Sequence, residues 1–138
     1  MFHLTIVTAE KTTYEGDINM LVVPAVDGEM GILTNHQPMV AKLGPGAIRA
    51  VKPDGSEERL FTNGGYLEFN QNKAVLLANV AEDLGSIQLA EARAARERAQ
   101  KLLITAKDDV EREKLEEELR AMMIRERLAD VAQYKRKN

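Results

Sequence analysis

The chain has 138 residues, 44% of them hydrophobic and 30% charged, with a net charge of −3. That length fits one compact domain, or a small domain with an appendage, and the composition argues against disorder. The acidic balance speaks against a generally basic nucleic-acid binder. The lack of cysteine excludes disulfides, thiolate zinc sites and thiol nucleophiles, and two histidines, His3 and His36, are too few for a histidine-rich metal centre. No apolar run approaches a membrane span, and Met1–Thr5 opens no export signal. A cytosolic or organelle-interior protein that folds by core burial alone is expected.

In chain order, Phe2-Leu4-Ile6 alternates with His3-Thr5-Val7, the period of a strand. Ile18–Val23 is a nearly continuous apolar run closed by Pro24, which reads as one buried strand. Asp27–Pro38 reads as a glycine-bearing loop, either merely tight in its backbone or a surface contact loop held by a rigid scaffold. His36 within it has no nearby nucleophile or carboxylate pair that would make it catalytic. Gly44-Pro45-Gly46 and Gly64-Gly65 lack the spacing of phosphate-binding loops and read as turns or bulges. Ile48–Val51 and Leu60–Thr62 flank Lys52-Pro53-Asp54-Gly55-Ser56, and Tyr66–Phe69 and Ala74–Val80 flank Asn70-Gln71-Asn72-Lys73. Both pairs read as hairpins, so the body is expected to be a β-sandwich or barrel.

All nine glycines lie between Gly16 and Gly85 and all four prolines between Pro24 and Pro53, whereas from Ser86 onward there is neither. Most of the charged residues fall in that breaker-free tail, which is rich in strong helix formers. The expected division is a β body over 1–84 and a helical region over 85–138. Ala95, Ala99, Leu102 and Ala106 form one apolar stripe, and Leu115, Leu119, Met122, Ile124, Leu128 and Val131 a second, drifting one. Lys107-Asp108-Asp109 interrupts them, and Asp108 with Glu111 has the form of a capping box. Nothing stronger enforces the break, so a helical hairpin and one long helix both remain open. Arg93, Arg96, Arg98, Arg120, Arg125 and Arg127 read as solvated faces with partners such as Glu116 for Arg120. Lys135-Arg136-Lys137 suits a helix C-terminus.

The order of these pieces carries a resemblance. Gly28-Glu29-Met30-Gly31-Ile32-Leu33 is followed by His36 and Pro38, then Leu43, Gly46 and Arg49. Gly64-Gly65-Tyr66-Leu67-Glu68, Val75-Leu76-Leu77-Ala78 and Ala81-Glu82 come next. The whole chain resembles the epsilon subunits of F-type ATP synthases, whose mitochondrial homologue is called delta. The resemblance implies a flattened β-sandwich (1–84) followed by an antiparallel two-helix hairpin (85–138). It also implies a non-catalytic rotor subunit between gamma and the c-ring that helps transmit torque. By the same resemblance Glu29, Met30 and Gly31 would face the c-ring, and His36 would lie near gamma. The helices would reach the alpha/beta catalytic head and inhibit hydrolysis, with Arg120, Arg125 and Arg127 as a basic face. Contact with the membrane would be only through the complex, with the subunit peripheral on the cytoplasmic face of a bacterial plasma membrane, or the stromal face of a thylakoid. Rival readings are a free-standing β-sandwich/coiled-coil adaptor and a small nucleotide-binding enzyme.

Several bacterial members of that family bind ATP through an I/L-D-x-x-R-A motif. Leu89-Ala90-Glu91-Ala92-Arg93-Ala94 keeps the arginine, as Arg93, but has alanine for the aspartate. Ile87-Gln88-Leu89-Ala90-Glu91-Ala92 has glutamine for the aspartate and Glu91 for the arginine. Either register loses a charged hydrogen bond worth about 1.5–3 kcal/mol, so ATP binding is expected to be weak or absent and no cofactor is expected.

Overall fold

The computed structural model describes residues 1–137, with side chains up to Tyr134. The chain forms two compact units, Met1–Asp83 and Leu84 onward.

The first unit contains strands β1 (Phe2–Val7), β2 (Thr12–Ile18), β3 (Met20–Ala25), β4 (Gly28–Leu33), β5 (Met39–Leu43), β6 (Gly46–Val51), β7 (Glu57–Thr62), β8 (Gly65–Asn70), β9 (Lys73–Ala78) and β10 (Glu82–Asp83). They make one ten-stranded sheet in the order β10-β7-β6-β3-β5-β8-β9-β1-β2, with β4 beside β3. The two halves meet at the single pair Ala25↔Leu43, and the sheet curls over on itself into a sandwich. Leu21, Val23, Ile32 and Ile48 from one half pack with Leu4, Ile6, Leu67 and Leu76 from the other, all of them sealed from solvent. The clean alternation of buried and exposed residues along β8 and β9 is the period of two that places one face inward.

Both expected hairpins form. Lys52 N donates to Ser56 O at 2.8 Å, and Gly55 takes φ +88°. In the second, Gln71 and Asn72 both have positive φ, 49° and 58°, giving the two-residue turn whose twist matches the flanking strands. Ile18–Val23 is not one strand, however. The chain turns at Asn19, so Ile18 closes β2 and Met20 opens β3. Pro24 does not end that run but pairs with Glu29 inside β3–β4. Gly28–Leu33 is likewise a strand rather than a loop. Its glycines face out while Ile32 is fully buried and Met30 packs against the core.

The second unit begins with a 3₁₀ turn, Leu84–Ser86, followed by α1 (Leu89–Ile104) and α2 (Asp109–Lys137). These pack as an antiparallel hairpin. Thr105 ends α1, its N–H and hydroxyl both donating to Leu102 O. Asp108 Oδ1 accepts from Glu111 N at 2.8 Å, the aspartate arm of the expected cap. The seam is narrower than the two expected stripes. Ala92 and Ala99 face Ala121 and Ala129 at its centre, and Leu102 and Val131 stay exposed. Small side chains let the two backbones approach closely, leaving the larger apolar groups to flank the contact.

Gly65 gives the sharpest local test. Its φ is +153°, and a Cβ there would stand 2.1 Å from Leu77 O. Gly65→Ala is expected to destabilise the β unit by about 3 kcal/mol or more, measured by chemical denaturation. At Gly31, where a Cβ would meet nothing within 4 Å, alanine is expected to be neutral or stabilising by up to about 1 kcal/mol.

Candidate functional site

Strands β5, β8, β9 and β1 present their second face to solvent. The registers align Val40, Glu68, Val75 and Thr5 in one row, and Lys42, Tyr66, Leu77 and Val7 in the next. A half-solvated sheet normally carries polar groups on that face. Here Val40 is 74% exposed, Tyr66 53% and Leu77 54%, an apolar strip of the kind that marks a contact surface. The sequence held the signal in the apolar residues at the outward positions of β8 and β9, which a reading for strand content alone passes over.

A second feature is the edge of β4. Pro24 O accepts from Gly44 N and Val26 N donates to Lys42 O, so the even-numbered residues of β3 turn their backbone groups away from β4. The pairing Val23↔Met30 then leaves the backbone of Glu29 and Gly31 on the outer side. Among the described residues β4 pairs with β3 alone, so Glu29 and Gly31 offer exposed backbone groups beside an exposed carboxylate. This is an edge without a proline, bulge or lysine to block a partner.

His36 lies in the segment after β4. Its Nδ1 is 2.8 Å from Gln37 O, and its half-buried ring meets Phe69 edge-on at 5.8 Å. The segment is also tied over a distance. Asn35 N donates to Asn72 Oδ1 and Asn72 Nδ2 returns the bond to Asn35 Oδ1, at 2.7 and 2.9 Å. His36 is therefore held in place by its own surroundings. It occupies a different segment from Glu29–Gly31, and the His3 ring lies between Glu15 and Asp17 of β2.

The helical unit divides the expected basic face. Arg125 is buried in the seam and donates from Nη2 to Glu91 Oε2. Arg120 and Arg127, seven residues apart, share the exposed side of α2. The three do not form one surface, because Arg125 points into the hairpin. In the sequence all these arginines read as solvated, and no local signal distinguishes the one that faces α1. Arg93 is exposed and lies 3.6 Å from Glu126 Oε1, while Arg96 Nε donates to Glu126 Oε2 at 2.7 Å. The side chains of Lys135-Arg136-Lys137 lie outside the described residues. Among the described residues no cluster of His, Asp or Glu has the form of a metal site, and no helix is long and apolar enough to cross a membrane.

These surfaces belong to a known architecture. The family model "ATP synthase, Delta/Epsilon chain, beta-sandwich domain" matches residues 1–84. The chain belongs to this ATP synthase delta/epsilon family. It is 42% identical over 127 residues to the ATP synthase epsilon chain of Symbiobacterium thermophilum, covering 91% of each chain. It is 35% identical to that of Bordetella avium, covering 92% of this chain and 89% of the other. In fold it is similar to a chain of the Euglena gracilis mitochondrial ATP synthase structure (OSCP/F1/c-ring), with a TM-score of 0.75 at 21% identity. That match covers 88% of this chain and 76% of the other. As a member of this family the chain is an accessory subunit of ATP synthase rather than a catalytic one.

The Arg96 side chain, by its hydrogen bond and then its charge, holds the Glu126 carboxyl below its ordinary value of 4.5. A depressed carboxyl contributes stability that is complete above its unfolded value and is lost as pH falls through its folded value. Hairpin stability is therefore expected to decline below about pH 4.5 in an acid titration followed by amide exchange. Glu126→Gln is expected to remove that part of the decline.

Proposed function

We propose that the chain is the epsilon-type central-stalk subunit of a proton- or ion-translocating F-type ATP synthase. In this reading it links gamma to the c-ring through the β unit, helps transmit torque, and regulates hydrolysis through the helical unit. The observation that carries the docking role is the solvent-facing apolar strip of Val40, Tyr66, Val75 and Leu77 on a fully packed scaffold. Such a strip is costly to leave wet and is suited to a permanent partner. Gamma is its proposed occupant, with His36 at the margin of that contact. The β4 edge, with Glu29, Met30 and Gly31, is the proposed c-ring contact, where the exposed carboxylate and backbone suit polar loops. The complex would hold the subunit peripherally at the membrane, on the cytoplasmic face in bacteria or the stromal face in plastids.

Regulation needs a hairpin that can open towards the alpha/beta head. An alanine seam supports this, because little apolar area is at stake at roughly 25 cal/mol per Å². Arg120 and Arg127 would meet acidic surface first, and Arg125 only after opening. ATP control of that opening is disfavoured. In one motif register Glu91 stands in the arginine position, and its carboxylate already engages Arg125. In the other register Arg93 leans on Glu126.

Leu77→Glu is expected to weaken binding to purified gamma by about tenfold or more while leaving the circular dichroism spectrum unchanged. Undiminished affinity would remove the strip from the interface. Deleting the chain from about residue 87 is expected to leave assembly with gamma and the c-ring intact and to raise ATP hydrolysis by the complex several-fold, with proton-coupled synthesis retained. Unchanged hydrolysis under all nucleotide conditions would reduce the helices to a stiffener, and lost assembly would move the docking role out of the β unit.

A further inference from the structure

Three bonds in the chain join an aspartate or asparagine to glycine: Asp27–Gly28, Asp54–Gly55 and Asn63–Gly64. At such a bond the glycine N, unshielded by a Cβ, can attack the side-chain carbonyl carbon of the residue before it and close a five-membered succinimide. The fold guards two of the three. Asp54 Oδ1 accepts from Ser56 N and Ser56 Oγ at 2.9 and 2.6 Å. The Ser56 hydroxyl, and then its N–H, hold that carboxyl below its ordinary range, whereas water leaves readily only from the protonated acid. At the third bond, Asn63 Oδ1 is sealed from solvent and Gly64 N donates to Thr62 Oγ1 at 3.1 Å. The backbone is crowded there too, since a Cβ on Gly64 would stand 3.2 Å from Leu43 O.

Asp27–Gly28 has no such guard. It lies in the exposed turn of the β3–β4 hairpin, and no hydrogen bond or ion pair holds the Asp27 carboxylate among the described residues. Gly28 takes φ +128°, and nothing lies within 4 Å of the place a Cβ would occupy. Val26 N is fixed to Lys42 O, but Ala25↔Gly28 is the last rung of its ladder, and terminal rungs open most readily. We propose that Asp27 is a site of spontaneous isomerisation to isoaspartate. Gly28 N bonds to Asp27 Cγ and one water leaves. A second water then opens the ring at the Asp27 α-carbonyl, breaking its bond to Gly28 N. The chain now runs through Asp27 Cβ, one methylene longer, and carries a free α-carboxylate, the substrate class of a carboxyl methyltransferase that uses a sulfonium methyl donor. The added methylene enters two residues before Glu29, at the start of β4. The inference stands whatever docks on that edge.

The test is to age the full chain at neutral pH and physiological temperature, folded and in guanidinium chloride, and to map its peptides by mass spectrometry with electron-transfer fragmentation. In the folded chain the Asp27 peptide is expected to split into two forms of equal mass, with a transient form one water lighter. Its rate is expected to stay within a few-fold of that in denaturant, whereas conversion at Asp54 and Asn63 slows by more than that on folding. An isoaspartyl methyltransferase with labelled S-adenosylmethionine is expected to label the aged chain. Asp27→Glu, whose longer side chain would have to close a six-membered ring, is expected to lose that label. An Asp27 peptide that stays intact in the folded chain while converting in denaturant would overturn the proposal. So would conversion at Asp54 or Asn63 ahead of Asp27, or a label that survives Asp27→Glu. The fragmentation assignment on the native chain decides the matter even if the variant folds poorly.

Discussion

This sheet folds over its core where one strand changes partners, and β3 does so at Pro24. Its first residues pair with β6 and its last with β5. Proline lacks a backbone donor, and here the missing N–H falls on the side where one partner leaves and the next arrives. The remaining acceptor is used, since Gly44 N donates to Pro24 O at 2.8 Å. The ring itself demands room. A Cβ on Gly46 would stand 2.6 Å from Pro24 Cβ, so the strand that departs must begin with glycine. Gly64 and Gly65 complete the corner from the other half, where a side chain would meet Leu43 O and Leu77 O. The breakers that make this sequence look loop-rich are thus concentrated at the fold-over that makes it a sandwich.

The two units rest on different physics. The β unit seals large side chains such as Phe61, Phe69, Leu67 and Ile48 almost completely, and each of these contributes roughly 1.5–3 kcal/mol. Local opening of such a body approaches global unfolding. The hairpin seals alanines and one arginine, and its two cross-helix carboxylates, Glu91 and Glu126, each face arginines. Contacts of this kind confer register more than stability, since desolvation offsets much of the attraction. The helical unit therefore lies at the low end of the stability range within one chain, where elements that move are found.

What the sequence revealed follows the same division. β1, β6 to β9 and both helices were legible because propensity, period and turn chemistry agree there. β4 was hidden because Gly28 and Gly31 mimic a loop, while only Met30 and Ile32 carry its inward alternation. β2 was hidden because Tyr14, Gly16 and Ile18 make a weak inward face beside polar Thr12, Glu15 and Asp17. The block around Glu29 and His36 marked the family without showing its geometry. Glu29 sits on a strand edge because it pairs with Pro24 in the β3–β4 hairpin, and a run that seems to stop at Pro24 hides that pairing. Arg125 was missed because a helical stripe is read from apolar residues, and an arginine in the middle of the stripe looks like an interruption.

That arginine also sets how evenly the hairpin is balanced. A leucine at position 125 would gain from burial in the seam and would lose that gain on opening. Arginine loses hydration on burial and recovers part of it through Glu91 and its other contact. Its burial therefore adds less than a leucine's would, although it specifies the register, since shifting α2 by one turn would separate Arg125 from Glu91. An acidic partner surface then need not overcome a core. In the proposed opening it would have to replace the contacts that Arg125 leaves, while the helix formers of α1 and α2 keep their intrahelical hydrogen bonds in either arrangement.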